Sequence, residues 1–275
     1  MTAYDISAFD AYESAGWSGK EPEAYDSLAG SVTSRLADPL LGAIAVGPGA
    51  RVLDVATGPG CVAGRAAERG ADAVGLDISE AMLAFARSRW PAVEFVTGDA
   101  TALPFADESF DGYVAAFVLL HLGRPERAAA EAARVVQPGG RVAFTVWDEP
   151  SRGRWLGVLL DAVAQVGATP PAEVPPGPPI FGFADEARFA ELLTGSGLTE
   201  VAVDTIDFYL VLEHGDELWE GLIHGTVRVG PLVRTQPEPV QRAIRERFDE
   251  LLEEHRSDGG FRVPVAVKLA SGMRP

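Results

Sequence analysis

Two glycines, Gly58 and Gly60, follow the short apolar run Arg51–Ala56 and precede an alanine-rich stretch. Glycine lets the backbone turn tightly and approach a ligand with no Cβ in the way. A helix that starts just past such a turn offers unpaired N–H groups and the positive end of its dipole. The loop therefore suits a nucleotide or an amino-acid carboxylate. The segment Gly58-Pro-Gly-Cys-Val-Ala63 also satisfies the dinucleotide pattern G-x-G-x-x-G/A. Asp77 closes the next apolar run, at roughly the 20-residue spacing where a carboxylate accepts hydrogen bonds from ribose hydroxyls. The same acid is equally placed to cap the helix after Ser79. Together the loop and the acid fit a ribose-bearing cofactor, dinucleotide or adenosyl.

A base near neutral pH is most often histidine, and the chain has four: His121, His214, His224 and His255. His121 stands just beyond the apolar run Tyr113–Leu119, at the strand edge where cofactor and substrate should meet. It serves there either as a base or as packing beneath the cofactor. His224 ends the largely apolar stretch Leu218–His224 and is the second candidate, against the plainer reading of a satisfied histidine. Tyr12, Trp17, Tyr25 and Trp219 lie outside the strands and are the candidate walls of a substrate cavity. The histidines are scattered and Cys61 is the single cysteine, so no metal site and no intramolecular disulfide are expected. Cys61 reads as a small residue filling a helix rather than a nucleophile.

These residues hang on an alternation of apolar runs and helical periods. Strands are predicted at Arg51–Ala56, Ala73–Asp77, Val93–Val96, Tyr113–Leu119, Arg141–Trp147, Val201–Leu212 and Phe261–Leu269, with helices between most of them. That order gives an α/β protein with a seven-stranded, mostly parallel sheet covered on both faces. Residues 1–50 read as an N-terminal helical cap carrying helices over Asp5–Ala15 and Glu23–Leu41. Residues 51–212 and 258–275 read as the core. Between the last two strands, 213–257 is long enough to be a helical lid.

The third strand is followed by Gly98-Asp-Ala100 and then Leu103-Pro-Phe105…Asp107-Glu-Ser-Phe-Asp111, and later by Arg134-Val-Val-Gln-Pro-Gly-Gly-Arg-Val-Ala143. Here the chain resembles the class I S-adenosylmethionine (SAM)-dependent methyltransferases, Rossmann-like in fold. Within them it is similar to the type 11 subgroup that includes the ubiquinone and menaquinone biosynthesis methyltransferases. The resemblance spans about residues 50–147. It implies SAM as cofactor and S-adenosylhomocysteine as product, with Asp99 on the adenine amino group and the Ala100 amide on a ring nitrogen. It extends the cofactor set to Asp54, Ala56, Gly58, Gly60, Asp77, Ile78, Met82, Asp99, Ala100 and Phe117. The family's glycine motif often has Gly where this chain has Ala56. Family breadth favours O-methylation of a small organic molecule, with ring-carbon methylation as a rival. A SAM-fold reaction without methyl transfer, such as a cyclisation, and an NAD-dependent oxidoreductase remain the alternatives.

With 40 acidic and 23 basic residues the net charge is −17. That balance argues against nucleic acid as a partner, because phosphate binding draws on clustered Lys and Arg. No apolar run is long enough to span a membrane, and no signal peptide is expected at the start. A cytoplasmic monomer or homodimer acting on a small molecule is the expectation. High Ala, Gly, Pro and Arg with only Lys20 and Lys268 point to a GC-rich bacterial genome and specialised metabolism.

Overall fold

In the computed structural model, which describes residues 4–45 and 47–275, strands β1 (Arg51–Val55), β2 (Asp72–Asp77), β3 (Glu94–Thr97), β4 (Phe110–Ala116) and β5 (Val136–Trp147) run parallel. β6 (Thr199–Leu212), the two-residue β7 (Arg256–Ser257) and β8 (Gly260–Met273) complete the sheet, whose long strands lie in the order β3-β2-β1-β4-β5-β8-β6. β8 is antiparallel to both its long neighbours. The seven expected strands are all present, and β7 adds only a short hairpin arm. Residues 1–3 and Val46 of the expected cap lie outside the described residues.

The helices are α1 (Ile6–Ser18), α2 (Pro22–Tyr25), α3 (Ser31–Ile44), α4 (Cys61–Glu68), α5 (Glu80–Arg89), α6 (Pro125–Val135), α7 (Arg154–Val166), α8 (Glu186–Gly195), α9 (Gly215–Gly225), α10 (Pro231–Arg234) and α11 (Glu238–Leu252). Alternate residues of the inner strands feed two cores, as a period of two requires. Val52 and Val114 join Leu36, Leu40, Ala66 and Leu83 from α3, α4 and α5 on one face. Leu53, Val55, Tyr113 and Ala115 join Ala128, Ala132, Phe189 and Leu193 from α6 and α8 on the other. β1 and β2 are buried almost throughout, which explains their continuous apolar character.

Two sequence readings shift. The apolar run at Tyr113–Leu119 leaves the sheet at Ala116: Phe117 takes a left-handed φ of 57°, and Leu119–His121 forms a 3-10 turn. The run stays apolar because it stays buried, so periodicity alone does not mark the strand's end. The helix expected over Glu23–Leu41 is broken into α2, a π-helical turn at Asp26–Gly30, and α3. π-turns are rare and concentrate at functional sites; this one follows Tyr25.

Small residues hold the layers close. A Cβ added to Gly64 in α4 would stand 2.2 Å from the Trp90 indole. Gly64→Ala is expected to destabilise the fold by about 1–3 kcal/mol, the usual cost of overpacking, read as a lower urea midpoint at unchanged slope. An unchanged midpoint would show that the indole moves freely.

Candidate active site

Strand order reverses between β1's two neighbours, β2 and β4, and a crevice opens at the carboxyl ends of these strands, as such switch points require. The crevice is a cavity of about 330 Å³ whose lining includes Ala56, Gly58, Asp77, Asp99, Phe117 and His121. The loop after β1 turns through left-handed residues: Ala56 at φ 55°, Gly58 at 52° and Gly60 at 80°. For alanine that conformation costs on the order of 1–2 kcal/mol. Phe117, also left-handed, forms the cavity's other wall.

Asp77 is 8% exposed and accepts hydrogen bonds from the Gly58 N–H at 2.8 Å and the Ser79 N–H at 2.9 Å. Burial raises its carboxyl above the usual range, and among the described residues no cation pairs with it. Such a carboxylate calls for further donors, and it lines the cavity. A Cβ built on Gly58 would meet only Tyr25, at 3.8 Å, so the loop leaves open space for a ligand. Ile78, 40% exposed, and Met82 supply apolar surface on the same rim. Asp99 is turned by bonds from the Thr101 amide and hydroxyl to its Oδ1, at 2.7 and 2.9 Å, and lines the cavity with Ala100. These features fit an adenosyl cofactor: acceptors for ribose and adenine, an open glycine backbone and apolar walls.

Asp54 and Gly60, expected to touch the cofactor, are not among the cavity's lining residues and support the loop from behind. Gly60 is pressed against Phe95 and Trp90, where a Cβ would come within 2.9 Å of each ring. Asp54, 1% exposed, accepts from the Thr57 hydroxyl at 2.6 Å and the Ala63 N–H at 2.9 Å. Burial pushes its carboxyl up to about 7, despite these two bonds. The folded chain thus keeps a proton that the unfolded chain releases near the ordinary value of 3.8. Stability contributed by this group is lost as pH rises from about 4 to about 7, at up to about 1.4 kcal/mol per unit. Asp54→Asn is expected to flatten that part of the stability profile in urea titrations. An identical slope in the variant would place the pH dependence elsewhere.

A smaller chamber adjoins the cavity. Trp17, Tyr25, Phe117 and His121 line both spaces, and Trp147, Trp155, Leu156, Ile180, Val227 and Val229 continue the second. The Phe117 and Trp147 rings stack at 3.6 Å. Burial pushes the Tyr25 phenol up to about 12, against a hydrogen bond with Thr33, so it is neutral at physiological pH.

His121 sits on the shared wall. Its Nδ1 is 2.9 Å from Glu13 Oε2, which also accepts from the Trp17 indole at 3.2 Å. Trp17 packs edge-on to the imidazole with ring centroids 4.9 Å apart. Glu13 was not singled out in the sequence, yet it is 3% exposed. The available signal was an acid four residues after Phe9 on the one buried stripe of α1.

Other expected residues lie elsewhere. His224 is 56% exposed on α9, 3.2 Å from Glu220, and lines neither space. Trp219 packs against Phe248 at 5.2 Å and under Arg245, holding α9 to α11. Tyr12 donates to the Val227 carbonyl at 3.1 Å and joins α1 to the chain after α9. Burial pushes the Cys61 thiol up to about 11, which removes it as a nucleophile. Among the described residues no cluster of His, Cys, Asp and Glu is arranged to hold a metal.

Residues 53–144 match the family described as a methyltransferase domain. Over 197 residues the chain is 34% identical to the demethylmenaquinone methyltransferase of Renibacterium salmoninarum, covering 69% of this chain and 83% of that protein. The chain belongs to the class I SAM-dependent methyltransferases, in the subgroup of the quinone-biosynthesis enzymes. Against the ubiquinone/menaquinone biosynthesis C-methyltransferase UbiE of Methylobacterium nodulans it is 48% identical over 115 residues, 38% of this chain and 46% of that one. The crystal structure of the YcgJ protein from Bacillus subtilis shares the fold, with TM-score 0.56 at 18% identity over 88% of this chain and 99% of that chain. As a SAM-dependent methyltransferase, this protein takes S-adenosylmethionine as its cofactor. Among the described residues no helix is long and apolar enough to cross a membrane.

Proposed function

We propose that this methyltransferase acts on a hydroxylated aromatic small molecule, methylating a ring carbon that the neighbouring oxygen activates. The observation that carries this is His121, held by Glu13, on the wall shared by the cofactor cavity and the aromatic chamber. In this reading Gly58, Asp77, Asp99 and Ala100 hold SAM, with Ala56, Ile78, Met82 and Phe117 as its apolar surroundings. SAM supplies an electrophilic methyl on a sulfonium, so the protein has chiefly to align the acceptor and exclude water. Trp17, Tyr25, Phe117, Trp147 and Trp155 line the adjoining chamber of about 60 Å³, where an aromatic acceptor would pack one edge while the rest of it extends into the larger cavity. His121 takes the acceptor's hydroxyl proton, leaving a phenolate whose ring carbons and oxygen are both nucleophilic. On carbon, the new C–C bond gives a dienone, with S-adenosylhomocysteine as the leaving group, and the ring C–H proton then leaves to restore the aromatic ring. Oxygen methylation, favoured by family breadth, would use the same phenolate; the C-methyltransferase name of one relative favours carbon. That name, with the demethylmenaquinone relative, also favours quinone-type chemistry over specialised metabolism.

Residues 1–50 and 213–257 act in this reading as cap and lid over a core of 51–212 and 258–275. Within the cap, just past α1, Lys20 donates to the His224 and Thr226 carbonyls at 2.7 and 3.2 Å.

Incubation with methyl-13C-labelled SAM and a set of phenols and hydroquinones tests the proposal. A labelled aryl methyl, with one S-adenosylhomocysteine released per product, is expected. A labelled methoxy group would move the reaction to oxygen. Label reaching only amines or carboxylates would overturn the reading, and product without S-adenosylhomocysteine would replace methyl transfer by another reaction.

A further inference from the structure

The partner that orients His121 is itself unfinished without a residue from the lid. Glu13 is buried on α1, and its Oε2 takes both His121 and Trp17. Its other oxygen, Oε1, is buried with no hydrogen-bond partner. The cation facing that oxygen is Arg228, whose Nε lies 3.6 Å away. A carboxylate oxygen taken this far out of water is costly unless a cation faces it.

Arg228 is held with more care than a surface arginine. Its guanidinium donates to the Leu120 carbonyl at 3.0 Å and to the Pro178 carbonyl at 2.8 Å, and it lies 5.2 Å from the centre of the Phe9 ring. Leu120 is the residue before His121, so one side chain from the lid fixes the turn that carries the histidine and faces the acid that orients it. Other titratable groups face this cluster: Tyr4 donates to the Gly123 carbonyl at 3.1 Å, and Tyr25, on the same cavity wall, is a neutral phenol. On α1, Asp10 accepts from the Gly123 N–H at 2.7 Å, and Tyr12 donates to Val227. From the lid, the Arg234 guanidinium donates to the Ile223 carbonyl, and its charge reaches Tyr12.

We propose that Arg228 is a positioning residue: its guanidinium fixes the Leu120 carbonyl beside His121 and faces Glu13 Oε1, holding Glu13 as the acceptor of the His121 Nδ1–H and leaving Nε2 as the basic nitrogen. The base is therefore assembled from three separate stretches of chain: α1, the turn after β4, and the segment after α9. This rests on His121 being the base of the proposed reaction.

The charge relation has a sign that can be read directly. Arg228 opposes protonation of His121, whereas Glu13 favours it. Titration of the His121 ring nitrogens by 15N NMR in the S-adenosylhomocysteine complex should show the neutral ring protonated on Nδ1. In Arg228→Met the His121 midpoint should rise by about one unit, and in Glu13→Gln it should fall by about as much. Arg228→Lys, which restores the charge without the fork, should return the midpoint most of the way. The acid limb of the kcat profile should move with the midpoint, while affinity for S-adenosylhomocysteine stays within about twofold of wild type. A purely structural Arg228 would leave the midpoint of both folded Arg228 variants where it is in wild type, and that result would overturn the proposal. A shifted midpoint with no matching shift in the kcat profile would instead fault the assignment of His121 as base.

Discussion

Asp77→Asn should weaken S-adenosylhomocysteine binding by about 100-fold, measured by calorimetry on the purified protein. The wild-type carboxylate is buried and bonded to backbone N–H groups, those of Gly58 and Ser79 among them, with no cation paired to it among the described residues. Burial disfavours its charge, and the ribose hydroxyls are the donors that the cavity side lacks. A hydrogen bond to a charged acceptor contributes roughly 1.5–3 kcal/mol. Asparagine keeps one acceptor oxygen but replaces the other by an N–H2 group, which faces a donor wherever it turns. Losing one charged bond and repelling one donor amounts to about 3 kcal/mol, or a factor near 100. The variant should stay folded, because amide and carboxylate share a shape and the neighbouring core is apolar. Unchanged affinity in a folded variant would remove Asp77 from the cofactor site.

His121→Gln should lower kcat by about 10²–10⁴-fold, the usual span for loss of a positioned general base. Cofactor affinity should hold within a few-fold, because Asp77, the glycine loop and Asp99 are untouched. Glutamine retains a side-chain N–H for Glu13, so the wall keeps its packing against Trp17. The loss should shrink for acceptors whose hydroxyl is already ionised at the assay pH, since these need no base. An equal loss for acidic and weakly acidic phenols would mean that the histidine only shapes the chamber. His224→Gln, on the exposed face of α9, should leave turnover unchanged.

The cavity lining that the sequence picks out is local. Gly58, Asp77, Asp99 and Ala100 each lie at a strand end or within a few residues of one, and strand-end chemistry leaves a pattern in a short window. Asp54 and Gly60 belong to the same window, but the Asp54 carboxylate turns to Thr57 and Ala63 and the Gly60 backbone lies against Phe95 and Trp90, distinctions that spacing does not carry. Glu13 was hidden for a different reason. Its partner His121 is 108 residues away, and an acid on a helix with only two buried residues reads as solvated. Arg228 was hidden likewise, inside a connection between helices. His224 misled because apolar neighbours suggested burial, whereas its own turn pairs it with Glu220 at the helical i,i+4 spacing, a mark of an exposed face. For the fold, β4 was placed correctly but its end was not, since Phe117 turns out of the sheet without losing burial.

A crystal structure of the S-adenosylhomocysteine complex tests most directly whether the cavity and the aromatic chamber form one active site. Ribose hydroxyls on Asp77, adenine beside Asp99 and Ala100, and sulfur facing the gap between Phe117 and His121 are the expected result. A cofactor bound with its sulfur turned away from the chamber, or in contact with neither Asp77 nor the Gly58 loop, would contradict it.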